Sequence, residues 1–292
     1  MLMTAQKHRS RRAAASAVAG ERAKKIAVHL VLIAVLLVSV LPIYWFVMAA
    51  LKPAVELNEN PFAFPKTFTL ANIVEAWTVG KMSVYFWNSV IVAVPRVLII
   101  VLLAALAGFA FAKLKFPGRD ALFYAFLFGM MIPIQAMIIP LYYTMQSLQL
   151  INTYWALILP SFGLAMPFAI FMMRAFYRDI NDELMDAAKI DGCGDFRTFV
   201  HIMLPLMVPA LTALVVFEFS ASWNDFLLPL LFVYEDSYRT LPLGLMYFSG
   251  EYTQDQTLVA AGVTIAVLPI IAIYMIFQRK FIEGITAGSV KG

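Results

Sequence analysis

The sequence predicts an all-α integral membrane protein with six transmembrane helices, both termini cytoplasmic, and a short cytoplasmic helix between the fourth and fifth spans. Three observations carry this expectation: composition, the length of the uncharged segments, and the placement of lysine and arginine. Apolar residues make up 62% of the chain and charged residues 14%, against roughly 25% charged in an average soluble domain. Barrel strands would be about 10 residues of alternating polarity, whereas these apolar segments are helix length, so the backbone must satisfy its hydrogen bonds as helices.

A bilayer-spanning helix needs about 20 mostly apolar residues. Reading along the chain, such segments run from Ile26 to Ala50, Val84 to Ala112, Leu206 to Tyr234 and Thr257 to Gln278. The first is too long and too evenly apolar for the core of a signal peptide, which runs about 7 to 15 residues. Between Asp120 and Arg174 lie 53 residues without a formal charge, too many for one crossing. The polar run Gln146 to Asn152 divides them into two helices, and the count becomes six.

Orientation follows because the cytoplasmic side holds the excess of lysine and arginine. Seven fall in the N-tail (Lys7 to Lys25), three at 113–120, four in the loop after the fourth span and three in the C-tail. The opposite side has only Lys52, Lys66, Lys81 and Arg239. The chain therefore divides into a basic cytoplasmic N-tail (1–25), a membrane domain (26–282) containing the polar loop 178–204, and a cytoplasmic C-tail (283–292). The net charge of +4 follows from this asymmetry and indicates no nucleic-acid partner; the basic tail faces anionic lipid.

Several chemistries are excluded. A lone cysteine, Cys193, precludes an intramolecular disulfide, and His8, His29 and His201 are too scattered to bind a metal. No Ser/His/Asp set is present, and the only Gly-Lys pair, Gly80-Lys81, has Glu75 where a phosphate loop needs its first glycine. We therefore expect neither a catalytic site nor a metal. ATP, if it drives this protein, must bind to another chain.

The loop from Asp182 to Pro205 is the most polar interruption. Asn181 or Asp182 can cap a helix whose first turn is acidic. Leu184, Ala187 and Ala188 fall at i, i+3 and i+4, forming a narrow apolar stripe, and Gly192 supplies a C-terminal cap able to take positive φ. Asp195 can start a second short helix presenting Phe196 and Phe199 on one side, and Pro205 sets where the next span begins. From composition alone, this remains either a docking element or an ordinary interfacial loop.

Ala187-Ala188, Asp191-Gly192, Phe199 and Leu204-Pro205 resemble the EAA loop of bacterial ABC importer permeases. The resemblance is to the carbohydrate-uptake family, which includes the smaller maltose-transporter permease subunit. It extends over Leu51-Lys52-Pro53 to Phe64-Pro65, Ala107 to Lys113, Trp223-Asn224-Asp225 and Gly284 to Gly292. The family's leading glutamate is Asp186 here, one methylene shorter. The resemblance implies a coupling helix, with Asp186, Ala187, Ala188, Asp191, Gly192, Phe196, Phe199 and Pro205 engaging a cytoplasmic ATPase, and a C-tail contact through Gly288, Lys291 and Gly292. It also implies a second permease chain, two ATPase subunits holding ATP and magnesium, an extracytoplasmic sugar-binding protein, and a place in the bacterial inner membrane.

Ions within spans are rare and tend to pair or face a pore. Arg96 and Glu218 both fall near the bilayer midplane, and Glu218, Ser222 and Asp225 share a face at i, i+4 and i+7. They could line a transport path or form a buried pair. The competing reading is an ion-coupled secondary transporter using Arg96 and Glu218. Pro133, Pro140, Pro160, Pro167 and Pro269 are positions where spans can bend.

Overall fold

The computed structural model describes residues 2–251 and 255–289, and among them there is no strand. The first element, α1 (Leu2–Ala50), runs unbroken from the N-tail through the first apolar segment. Only its last turns are covered: Ala49 and Ala50 are buried, while Ile26 to Leu41 are exposed on every side. Such a face suits lipid tails.

Two short helices, α2 (Ala54–Glu59) and α3 (Ala71–Thr78), cap the end of the bundle that α1 reaches. Helix C-termini leave carbonyls without partners; here the Asn72 amide donates to the Ala50 and Lys52 carbonyls at 2.9 and 2.7 Å. The fully buried Lys52 ammonium donates to the Asn60 carbonyl at 3.0 Å. Glu56 accepts from the Lys66 and Thr67 amides, and the first of these bonds holds its carboxyl below the usual range.

The central helix is α4 (Met82–Lys113), packed against α7 (Trp155–Asp179) and α11 (Val208–Trp223). Contact with α7 is close because Gly108 has no side chain: a Cβ there would lie 2.5 Å from the Met173 Cβ. Arg174 ties the same region, donating to the Phe111 carbonyl at 3.3 Å while its guanidinium sits 3.7 Å from the centroid of the Phe123 ring.

Among the described residues, four helices are long and apolar enough to cross a membrane, and two bent pairs raise the number to six if each pair is one span. The first bend falls at Pro133, one of the prolines where the sequence lets a span bend; the second, between Leu206 and Val208, corrects the reading of a span that begins at Leu206. The third segment is not one rod but α5 (Arg119–Gly129) and α6 (Ile134–Ser147), bent by 95°. Pro133, at the α6 N-cap, lacks the N–H that would continue α5, and its own backbone is extended. The segment from Leu206 to Tyr234 is likewise interrupted. Its helix α11 starts at Val208, ends at Trp223, and is followed after a break by α12 (Leu227–Phe232).

Between α7 and α11 lie α8 (Glu183–Ile190), α9 (Asp195–Thr198), a π-helical turn (Phe199–Met203) and α10 (Leu204–Leu206). After α12 come a 3-10 turn (Asp236–Tyr238), α13 (Leu241–Glu251) and α14 (Gln256–Ser289). Gly80 and Gly244 let α13 settle onto the start of α4, since a Cβ would come within 2.3 Å of Phe248 or 2.2 Å of Tyr85. There Asp236 accepts from Tyr85 and Lys81, both at 2.6 Å.

Candidate coupling arm and a buried charge cluster

The arm begins where α7 stops. Ile180 turns extended, and the Asn181 side chain accepts from the Glu183 N–H at 3.1 Å, whereas the Asp182 side chain, immediately before α8, makes no capping bond. Asp182 instead pairs with Lys113 at the end of α4. At the other end, Gly192 has φ of +75°. Its N–H reaches the Lys189 carbonyl at 3.0 Å, and the Cys193 N–H reaches that of Ala188 at 2.8 Å. These two bonds form a Schellman cap.

The apolar stripe expected from spacing is divided by the fold. Ala188 faces inward with Met185, both buried, whereas Leu184 and Ala187 are exposed along with Asp186 and Asp191. Met185 joins a core with Phe109, Tyr177, Phe199 and Met203, and that core dictates the inner face. The outer face carries Leu184, Ala187 and Ile190, the last 87% exposed.

Phe196 and Phe199 keep neighbouring rings, with centroids 6.3 Å apart, but differ in burial. Phe199 is buried with its ring 5.3 Å from Phe109, while Phe196 is 72% exposed. Residues three apart share a face on a helix, so the rings stay adjacent, while α9, one turn long, widens into the π turn that carries Phe199 into the core. Pro205 is another correction: it lies within α10, and the 76° bend falls at Met207, where Pro209 in the first turn of α11 cannot donate back.

In the sequence Lys113 stands as one of several orienting charges and as the last residue of the Ala107 to Lys113 segment. Its side chain is 2% exposed, and its ammonium donates to the Ile180 carbonyl at 2.5 Å as well as to Asp182. A basic residue in the last turn of a helix is a known stabilising pattern, and that was the available signal.

A second site lies between α4 and α11. The Arg96 guanidinium is 3.5 Å from Asp225 and 4.0 Å from Glu218, with side-chain exposures of 8%, 21% and 5%. Asp225 does not continue the helical face of Glu218 and Ser222, because α11 has already ended; from the break it turns one oxygen to Arg96 and the other to the Leu228 N–H at 3.3 Å. One Glu218 oxygen and the Ser222 hydroxyl are buried without a hydrogen-bond partner. Two carboxylates against one guanidinium form a compact cluster that holds α4 to both sides of the α11–α12 break. Gly288 lies in the helical backbone of α14, and Lys291 and Gly292 lie outside the described residues.

Residues 100–286 match the family described as "Binding-protein-dependent transport system inner membrane component". That match covers more than half of the chain. The chain belongs to this family. It is a multi-pass inner-membrane transport component of bacteria and not an enzyme.

Among the curated relatives of this transport component is a probable ABC transporter permease, YurM of Bacillus subtilis, 38% identical over 86% of the chain and 83% of the relative. The arabinooligosaccharides transport system permease AraQ of Halalkalibacterium halodurans is 37% identical over 87% and 92%. The diacetylchitobiose uptake permease NgcG of Streptomyces coelicolor is 32% identical over 90% and 88%. In fold, the transport component resembles a chain of a crystallised bacterial ABC transporter that imports the acidic polysaccharide alginate, with a TM-score of 0.75 over 90% of this chain and 98% of that one at 20% identity.

Proposed function

We propose that this chain is the permease subunit of an ATP-driven sugar importer, crossing the inner membrane six times with both termini and the coupling arm in the cytoplasm. With a second, homologous permease it forms the path for a sugar delivered by an extracytoplasmic binding protein. Two ATPase subunits bind ATP and magnesium and dock on the arm; Gly288, Lys291 and Gly292 of the C-tail reach toward them. The relatives named for oligosaccharide uptake support the substrate class.

One observation carries the reading: α8 has a buried face packed onto the hydrophobic core of the helix bundle and an exposed face offering Leu184, Ala187 and Ile190 among acidic side chains. Force applied to the outer face passes through Met185 and Phe199 into α4 and α7. The burial of Arg96, Glu218 and Ser222, with Asp225 half-buried beside them, favours a role in holding the helices around the path over direct lining of it. Family membership favours this over an ion-coupled transporter relying on Arg96 and Glu218.

The test is a mild-detergent pull-down from the native membrane. The intact chain should bring down an ATPase, and Ala187→Arg, which places a large cation on the exposed face, should lose it. An ATPase that co-purifies equally with both forms argues against docking on this face.

A further inference from the structure

The junction between α7 and α8 is gripped by one side chain from a third helix. Lys113 ends α4, and its two acceptors stand on either side of Asn181: the Ile180 carbonyl closes α7, and the Asp182 carboxylate immediately precedes α8. Asp182 is 82% exposed, whereas the Lys113 side chain is 2% exposed. The ammonium has thus given up water for these two partners, and loss of either leaves a buried charge under-satisfied. Its bond to Asp182 holds that carboxyl below its ordinary value.

Below this junction, α4 and α7 have little freedom to slide, because Gly108 abuts Met173 and Arg174 bonds the Phe111 carbonyl. The remaining freedom is rotation of α8 about Ile180 and Asn181, and Lys113 opposes it. The same helix carries Arg96, seventeen residues away or about 25 Å along the axis, at the α11–α12 break.

We propose that Lys113 is the positioning residue that fixes the coupling helix to α4, so that movement of α8 is passed along α4 toward the Arg96 cluster. This rests on the coupling reading of α8 given above. Lys113 touches neither substrate nor nucleotide; it sets the angle at which the docking face is held.

The experiment uses the whole importer in sealed proteoliposomes, with its external binding protein purified from the native host as the probe. The readout is the ratio of ATP hydrolysis with that protein to hydrolysis without it, which does not depend on how much complex is recovered. Lys113→Met should reduce the stimulation about fivefold or more. Asp182→Asn, which leaves the Ile180 carbonyl in place, should reduce it less and carries the test if Lys113→Met does not assemble. Wild-type stimulation in Lys113→Met, or in Asp182→Asn where only that variant assembles, overturns the assignment. Ala187→Arg separates the two claims: if it keeps its ATPase bound, the coupling reading itself fails. If it releases the ATPase while Lys113→Met is stimulated normally, only the role of Lys113 fails.

Discussion

Arg96 and Asp225 meet at 3.5 Å although 129 residues separate them, and through this contact α4 holds the break between α11 and α12. Asp225 serves the break twice, since its other oxygen accepts from the Leu228 N–H that opens α12. Removing the guanidinium would leave the buried Glu218 and the half-buried Asp225 together without a counter-charge.

Arg96→Gln is therefore expected to lower stability by about 3 to 5 kcal/mol, the usual cost of breaking a buried pair from one side. Arg96→Met combined with Asp225→Asn and Glu218→Gln should recover much of that loss, because no uncompensated charge remains. Thermal aggregation midpoints in detergent measure both. Equal losses in the two variants would show that the side chains act through packing and not through charge.

Gly108→Ala should lower the same midpoint by an amount corresponding to about 1 to 3 kcal/mol, because even a methyl group would lie 2.5 Å from Met173 and 3.0 Å from the Arg174 backbone nitrogen. An unchanged midpoint would mean that α4 and α7 separate without cost.

How much of this could be read from the sequence depends on whether a signal was local. The division of the long apolar segment at Gln146 to Asn152 was readable, because polar residues cannot be left in lipid, and α6 does end at Ser147. Gly192 was readable for a similar reason, a tight turn after an apolar stripe, and it takes a φ of +75°. The direction of the bends at Pro133 and Pro209 was not, since a proline says where a hydrogen bond is missing but not where the chain turns. Nor could spacing tell Ala187 from Ala188, or Phe196 from Phe199. Which of each pair goes inward is decided by Phe109 and Tyr177 from distant parts of the chain.

The Lys113–Asp182 bond also sets a pH dependence. It lowers the Asp182 carboxyl below its unfolded value, so the stabilisation is fully present above the unfolded value and is lost as pH falls through the native one. Binding-protein stimulation of ATP hydrolysis should accordingly show no titration attributable to Asp182 between about pH 6 and about pH 8, well above the carboxylate range. A transition in that window that disappears in Asp182→Asn would contradict the assigned ion pair.

The most direct measurement is site-specific cross-linking of the arm in the assembled importer, with Cys193 replaced by serine and single cysteines introduced at Ile190, Ala187 and Met185. The account predicts that Ile190→Cys and Ala187→Cys, on the exposed face, join covalently to an ATPase subunit through a short maleimide–benzophenone reagent that needs no thiol on the partner, while Met185→Cys on the buried face does not. Cross-links from Met185→Cys equal to those from Ile190→Cys, or none from any position in a complex that hydrolyses ATP, would contradict docking through the outer face of α8.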